Sequence, residues 1–246
     1  MKNILEQDMK VSATLTDVNI QMGLIPSLTV VQDNMCEFFK NMGCDGLTMV
    51  PICNCFFVVT KTKICFNKFL EWLDTFKCRT EISNKSKVRL NLSTEFLDKN
   101  NEMVACALQE MCAMDADKRS LRLVDTTLVP TDLEVTKNSE IEFSRLNFEM
   151  TEEDLVKEHN IEVVNLDFYK HTNNVEYARL MLSTLELSFL VENIISDFEI
   201  HYINECRFGD HLKIYRKTID DHIEFEIRKE NNAIVKGLLN FRKIQK

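Results

Sequence analysis

The same order of segments occurs twice along this chain of 246 residues, and that repetition limits the fold more than any other feature. In each half, a segment with apolar residues at helical spacing precedes four strand-like segments. The helical segments are 27–43 and 173–193. The strand-like segments are 55–66, 75–82, 87–97 and 103–114, and then 197–205, 211–219, 222–229 and 233–244. The pattern indicates two copies of one structural unit.

Short sequence matches support the duplication, because three pairs occur in the same order in both halves. The pairs are LTDVN (15–19) with NLDFY (165–169), EWLD (71–74) with RFGD (207–210), and KNNEMVACAL (99–108) with ENNAIVKGLL (230–239). We therefore predict a first unit over 1–115, an acidic linker over 116–159 and a second unit over 160–246.

A unit of one long helix and several antiparallel strands can bury the apolar stripe of the helix if the strands form a curved sheet that wraps around it. The predicted class is α+β: a tandem, or double, hot-dog with two long helices, each wrapped by a curved antiparallel sheet. A single unit would leave sheet edges exposed, so we expect the two units to pair within the chain.

Composition excludes several classes of protein. No apolar run approaches the length of a membrane span, and the start of the chain has no signal-peptide character. The nine cysteines are odd in number and form no C-x-x-C pair, which favours free thiols in a reducing compartment over disulfides. We expect a cytoplasmic protein with no membrane association and no bound metal.

Charge is unevenly distributed around a formal net value of −9. Residues 130–165 hold ten acids and three bases, whereas residues 201–246 hold ten bases and seven acids. A nucleic-acid-binding chain is normally more basic, so no nucleic acid is expected. The basic segment is either an ordinary solvated surface or a face for an acidic partner.

The stretch NLDFYKHTNNVEYARLML (165–182) carries the candidate chemistry. Asp167, Tyr169 and His171 alternate, so they project to one side of an extended segment. Asn173 or Asn174 is a good N-cap for the helix that follows. The free N–H groups at such a helix end can hold an oxyanion, which suits attack of water on a thioester carbonyl.

Structural roles remain open for the same residues. Asp167 is also a typical turn aspartate that accepts bonds from its own backbone. His171, taken alone, is more often a structural histidine. Cys206 is a potential nucleophile, but the adjacent Glu205 disfavours a thiolate, so we interpret Cys206 as a packing residue.

LDFYKHTNNVEY (166–177) resembles the acyl-acyl-carrier-protein (acyl-ACP) thioesterase family, whose pattern is close to Asp-x-Asn-x-His-x-Asn-Asn-x-x-Tyr. The residues that match are Asp167, His171, Asn173, Asn174 and Tyr177. IHYINECRFGD (200–210) resembles the family's following strand, with Glu205 at the proposed general base. TDVNIQMGLIPSLTVVQD (16–33) resembles the helix entry of the family's first unit. The chain departs from the family at Tyr169, where the family has Asn.

The resemblance implies a hydrolase that releases fatty acids from acyl-ACP without a cofactor. It implies catalytic roles for Asp167, Tyr169, His171 and Glu205, with Glu205 or Asp167 activating water. Substrate-binding roles fall to Asn173, Asn174 and Tyr177. The acidic carrier protein would dock on the basic side of 201–246, namely Arg207, Lys213, Arg216, Lys217, Arg228 and Lys229. A homodimer is a further possibility.

The first unit lacks the motif, since alignment of the repeats sets Gln21 against His171 and Phe69 against Glu205. We therefore expect one site per chain, with the first unit shaping the acyl pocket. Two alternatives remain. One is an acyl-CoA thioesterase or enoyl hydratase; the other is an acyl-thioester-binding protein in which Tyr169 blocks catalysis.

Overall fold

A single antiparallel sheet forms the body of the protein in a computed structural model that describes residues 4–133, 135, 139 and 141–244. Within these residues the sheet has ten strands in the order β1-β3-β4-β5-β2-β7-β10-β9-β8-β6. The first five are Ile4–Lys10 (β1), Cys55–Phe66 (β2), Thr75–Lys85 (β3), Arg89–Asp98 (β4) and Met103–Asp115 (β5). The others are Leu155–Asn160 (β6), Asn193–Tyr202 (β7), His211–Ile219 (β8), His222–Lys229 (β9) and Asn232–Lys243 (β10).

The strand order is symmetric about the sheet centre, where β2 of the first half pairs with β7 of the second. Their antiparallel register runs from Lys61 opposite His201 to Cys65 opposite Asp197. Reading outward from this pair gives β5-β4-β3-β1 on one side and β10-β9-β8-β6 on the other. This arrangement confirms the predicted tandem hot-dog and the pairing of its units within one chain.

The strand predictions are confirmed to within a few residues. β2, β8 and β9 have the predicted bounds, because each is a run of β-branched, aromatic or alternating residues closed by polar turns. β7 departs most: it begins at Asn193, four residues earlier than predicted, and ends at Tyr202. Its early start follows from the second helical segment, which is shorter than predicted.

The described helices are Leu24–Asn41 (α1), Gly46–Cys53 (α2), Asn174–Leu182 (α3) and Leu187–Glu192 (α4). α1 buries the predicted stripe, including Leu28, Val31 and Phe38. It ends next to Gly43, whose φ of +68° is the left-handed conformation that glycine adopts without strain. The prediction of one long helix in the first unit is therefore confirmed.

The second predicted helix, 173–193, is wrong as a continuous element. α3 ends at Leu182, and α4 begins only at Leu187. The Ser183 and Thr184 hydroxyls donate to the carbonyls of Leu180 and Met181, each at 2.7 Å. Such local bonds compete with the helical ladder, which explains why the apolar periodicity did not keep the helix intact.

Sequence periodicity also missed α2. Asp45 caps this helix by accepting the Thr48 N–H at 3.2 Å and the Thr48 hydroxyl at 2.6 Å. Pro51 lies inside it, and its residues are mostly apolar without a polar face. The short element therefore shows no clear helical periodicity in the sequence.

The predicted linker is an ordered strap over the outer face of the sheet where it is described; Glu134, Lys137 and Glu140 lie outside the described residues. Charged side chains on the sheet form hydrogen bonds with the backbone of the strap. The bonds join Lys63 to the Glu142 carbonyl (3.1 Å), Glu199 to the Ser144 N–H (2.8 Å), Lys236 to the Phe148 carbonyl (2.7 Å) and Arg228 to the Met150 carbonyl (2.7 Å).

The boundary predicted at residue 160 needs correction. Residues Leu155–Asn160 form β6, which pairs with β8 in the second half of the sheet. The sequence masked this strand because acidic residues surround it and its apolar positions are few. No described helix has the length and apolar character needed to cross a bilayer.

Glu199 is the buried centre of the strap contacts, so we expect Glu199→Ala to lower the free energy of unfolding by about 3 kcal/mol. Its carboxylate meets Lys63 at 3.1 Å and His201 at 2.7 Å, and removing it deprives both side chains of this buried acceptor. Urea unfolding measures the change. Glu158→Ala, which removes an exposed partner of His211, is the control and should stay within about 0.5 kcal/mol.

The pH dependence of this difference follows from the Glu199 pKa. Burial raises that pKa, but His201, Lys63 and the Ser144 N–H outweigh burial and hold it below the ordinary value of 4.5. A depressed pKa contributes stability above the unfolded value and loses it as pH falls through the folded value. The gap between wild type and Glu199→Ala should therefore shrink below pH 4.5; a gap that stays constant there contradicts this account.

Candidate active site

Asp167 organises the turn that carries the candidate histidine. Its Oδ1 accepts the N–H of Tyr169 at 2.9 Å and the N–H of His171 at 3.1 Å. Its own N–H donates to the His171 carbonyl at 2.8 Å. Asp167 therefore makes the contacts of a turn aspartate, as the sequence allowed. These contacts fix the backbone of His171.

A second set of bonds brings Glu205 beside this turn. The Cys206 carbonyl accepts the Thr172 N–H at 2.8 Å and the Thr172 hydroxyl at 3.0 Å. The Cys206 N–H donates to the Tyr177 hydroxyl at 3.1 Å. The segment after β7 is thus held on both sides of Cys206, and the neighbouring Glu205 is held with it.

These contacts change the interpretation of two residues. Tyr177 is only 2% exposed, and its hydroxyl accepts the Cys206 N–H, so its described contact is with the backbone beside Glu205. Cys206 is fully buried, and burial raises the pKa of its thiol. A thiol of this kind is a poor nucleophile, which agrees with the packing role predicted for Cys206.

His171 and Glu205 meet at the centre of the site. His171 Nδ1 lies 3.3 Å from Glu205 Oε2. Two guanidinium groups also contact this carboxylate, Arg119 at 2.5 Å and Arg207 at 3.2 Å. Burial raises the pKa of Glu205, but His171, Arg119 and Arg207 outweigh it and hold the pKa below its ordinary range. Glu205 is therefore an ionised acceptor for His171.

The start of α3 supplies backbone donors next to this pair. Asn173 is the N-cap: its Oδ1 accepts the Val175 N–H at 2.9 Å, and its carbonyl accepts the Glu176 N–H at 3.0 Å. Asn174 is the first helical residue and lies three positions after His171. The positive end of the helix dipole therefore adjoins the His171–Glu205 pair, where it can stabilise a negative oxygen.

Tyr169 points its hydroxyl away from His171 and Glu205, the residues with which the sequence analysis grouped it. Its ring packs on Phe168 with centroids 4.3 Å apart, and its hydroxyl lies against Gly46, where a Cβ would overlap it. Burial, together with Asp45 and Cys36, raises its pKa. The longer side chain carries the hydroxyl past the site to the α1–α2 junction, so the geometry does not support a catalytic role for Tyr169.

The first unit contains the same aspartate turn, but it lacks the histidine and the glutamate of the second unit. Asp17 Oδ1 accepts the Asn19 N–H at 2.8 Å, and the Asp17 N–H donates to the Gln21 carbonyl at 2.8 Å. The Met22 N–H then donates to the Leu70 carbonyl at 2.8 Å, as Thr172 does to Cys206. Gln21 and Phe69 accordingly occupy the positions of His171 and Glu205, as the repeat alignment predicted.

Each turn also contacts a short helix of the other unit. Asn19 Nδ2 donates to the Leu190 carbonyl in α4 at 2.9 Å. At the matching place in the second turn, Tyr169 packs on Gly46 at the start of α2. The two units are therefore joined at their turns as well as along β2 and β7.

Internal partners neutralise much of the basic surface predicted to dock a carrier protein. Lys213 lies 3.5 Å from Glu152, Lys229 lies 2.7 Å from Asp210, and Arg228 pairs with Glu226. Arg216 donates to the Thr184 carbonyl. Arg207 adjoins the site and is the contact between this surface and Glu205. Sequence reasoning counted charges but had no means of assigning these pairs.

Sequence reasoning missed Arg119, although its guanidinium makes the shortest contact to Glu205. It lies in the predicted linker, far from the motif, and no local pattern marks it. Among the described residues, no group of three or more His, Cys, Asp or Glu side chains is arranged to hold a metal ion.

Two family models match the chain. The model described as the acyl-ACP thioesterase N-terminal domain matches residues 2–130, and the model of the C-terminal domain matches residues 148–243. No protein with curated annotation matches the chain.

Solved structures with the same fold cover nearly the whole chain. An acyl-ACP thioesterase from Bacteroides thetaiotaomicron is 16% identical, with a TM-score of 0.88 and 98% of each chain covered. A 12:0-ACP thioesterase from Umbellularia californica is 15% identical, with a TM-score of 0.87 and 99% of each chain covered. A putative oleoyl thioesterase from Lactobacillus plantarum is 15% identical, with a TM-score of 0.86, and covers 99% of this chain and 97% of its own.

The Tyr169–Gly46 contact is testable by paired substitutions. Gly46→Ala should lower the free energy of unfolding by about 1–3 kcal/mol, because the added methyl overlaps the phenolic hydroxyl. Tyr169→Phe removes that hydroxyl and should recover part of the loss when combined with Gly46→Ala. Urea unfolding of the two single variants and the double variant gives the coupling. Strictly additive effects would show that the two residues do not touch.

Proposed function

Because this chain belongs to the acyl-ACP thioesterase family, it is a thioester hydrolase that releases fatty acids from acyl-ACP, and we propose that His171 and Glu205 activate the water. The observation that carries this assignment is the 3.3 Å approach of His171 Nδ1 to Glu205 Oε2 beside the first turn of α3. A carboxylate, an imidazole and a helix amide end are the groups that hydrolysis of a thioester needs.

Within this proposal His171 is the general base. Its Nδ1–H donates to Glu205, so its Nε2 is free to take a proton from water. Glu205 already accepts from two guanidinium groups, which makes its carboxylate a weak base and suits it to orienting the imidazole. Asp167 is similarly engaged by two backbone N–H groups, so we assign it to positioning His171.

The reaction then runs in two steps. Water attacks the thioester carbonyl as His171 takes its proton, and the carbonyl oxygen becomes an oxyanion that faces the Asn174 N–H at the start of α3, since the Asn173 N–H is bonded to the Asn165 carbonyl. Collapse of the tetrahedral intermediate breaks the carbon–sulfur bond and releases the fatty acid. The imidazolium returns its proton to the leaving thiolate, which leaves as the carrier thiol.

We further propose that the two units divide the work. The first unit is 1–115, the linker is shortened from the predicted 116–159 to 116–154, and the second unit starts at Leu155, where β6 begins, instead of at residue 160. The first unit would provide walls of an acyl pocket, since α1 and the facing strands bring together large apolar side chains. They include Phe38, Phe39, Met49, Ile82, Leu92 and Met111.

The carrier and the setting are also part of the proposal. Arg207 has a side chain that is 63% exposed beside Glu205, so it can meet an acidic carrier at the rim of the site. None of the nine cysteines, all of them among the described residues, forms a disulfide, which suits a cytoplasmic location. A homodimer is not needed to assemble the site, because both units lie in one chain.

His171→Gln tests the base directly, since it installs the residue that the first unit has at Gln21. We expect kcat for acyl-ACP hydrolysis to fall about 100- to 10,000-fold because the proton acceptor is lost. Release of carrier thiol, followed with a thiol-reactive dye, measures it. His211→Gln, at an exposed histidine of β8, is the matched control and should retain wild-type rates. Wild-type turnover in His171→Gln would remove His171 from the mechanism.

A carrier panel separates the alternatives. The same acyl group offered on ACP and on coenzyme A should give the higher kcat/KM on ACP if Arg207 and its surroundings meet an acidic protein. With an enoyl thioester, a thioesterase should release thiol. A hydratase would instead remove the conjugated double bond and its absorbance while keeping the thioester intact. Faster turnover of the coenzyme A ester would favour an acyl-CoA thioesterase.

A further inference from the structure

Arg119 belongs to the first half of the chain, four residues after the end of β5, yet it contacts the candidate carboxylate in the second half. Its Nη2 lies 2.5 Å from Glu205 Oε2, the oxygen that also faces His171. The site therefore includes residues from both halves of the chain. Nothing in the 165–182 motif itself supplies this contact.

The local structure around Arg119 holds its guanidinium in place. Asp115 Oδ1 accepts the N–H groups of Asp117 and Lys118 at 3.1 and 2.9 Å, and the Asp115 carbonyl accepts the Arg119 N–H at 3.1 Å. Arg119 itself has a φ of +52°. Its guanidinium lies 5.3 Å from the centre of the Phe56 ring at the start of β2, within the range of a cation–π contact.

We propose that Arg119 is a positioning residue of the hydrolysis site: it fixes Glu205 against His171 and keeps the carboxylate charged. This inference rests on the proposed roles of His171 and Glu205. Arg119 acts through Glu205 and needs no contact with the substrate. A guanidinium is suited to the task because it remains protonated and binds a carboxylate in a fixed plane.

The neighbours of Glu205 explain why Arg119 matters more than Arg207. The charged groups that face Glu205 are His171, Arg119 and Arg207. Arg207 is two residues away in sequence and 63% exposed, whereas Arg119 is 38% exposed and closer. Solvent screens the exposed pair more strongly. Without Arg119, burial would raise the pKa of Glu205 and the side chain would lose its fixed orientation.

A purely structural role is the competing explanation, because an ion pair between the two units can simply stabilise the fold. The two roles differ in what they do to titration of the site. A structural tie changes the free energy of unfolding, but it leaves the pH profile of the folded enzyme where it was. A cation that holds Glu205 charged moves that profile when it is removed.

The test compares Arg119→Ala and Arg119→Lys with Arg89→Ala, a matched variant that removes a first-unit arginine paired with Glu110 instead of Glu205. For Arg119→Ala we expect kcat on acyl-ACP to fall about 10- to 100-fold with KM changed less than about threefold. The acidic limb of the kcat profile should move up by about one pH unit. Arg119→Lys keeps the charge, so its limb should stay near the wild-type position, whereas Arg89→Ala should match wild type throughout.

A second measurement does not need turnover. The titration of the Glu205 carboxyl, followed by NMR in the full chain, should shift to higher pH in Arg119→Ala because a neighbouring positive charge is gone, and should not shift in Arg89→Ala. Superimposable titrations and pH profiles for Arg119→Ala and wild type would overturn the inference, whatever happens to stability. Absence of acyl-ACP hydrolysis by the wild type would instead overturn the proposed function, and the carboxyl titration of Glu205 would still decide the role of Arg119.

Discussion

The pairing of β2 with β7 is the constraint on which the rest of the structure depends. A curved sheet around one helix has an open edge, and each unit closes that edge with the other over the register from Lys61–His201 to Cys65–Asp197. The same pairing determines what can meet near its ends. Phe56 and Arg119 belong to the first half of the chain, and Glu205 follows β7. The pairing of β2 with β7 therefore brings a cation from one half to a carboxylate in the other.

Much of the fold could be predicted from sequence because the strands carry their signal locally. Ile223, Phe225 and Ile227 alternate with charged residues, and the observed strand has the predicted bounds. The duplicated aspartate turns were equally visible, since Asp17 and Asp167 each precede an apolar helix entry. The break at Ser183 and Thr184 was not visible, because hydroxyl bonds to nearby carbonyls compete with the helix without disturbing its apolar spacing.

The candidate site was also predicted only in part from the sequence. The family pattern predicted that His171 and Glu205 belong to one site, and the two side chains lie 3.3 Å apart. The sequence left the turn role of Asp167 open beside a catalytic one. It did not predict that Tyr169 would pack on Gly46, because that contact depends on side-chain direction and on a helix that periodicity missed. Arg119 and the strap bound by Glu199 depend on contacts between residues far apart in the chain, for which a single sequence has no signal.

The bond from Asn19 to the Leu190 carbonyl has a consequence for how the protein folds and unfolds. A turn in the first unit is completed only when α4 of the second unit is in place, and the edge of each half-sheet is satisfied only by the other half. Each repeat alone therefore lacks these hydrogen bonds, although it has its own helix and strands. The chain should behave as one cooperative unit with a single transition rather than as two independently melting domains, and an intermediate with one half ordered would expose an open sheet edge prone to aggregation.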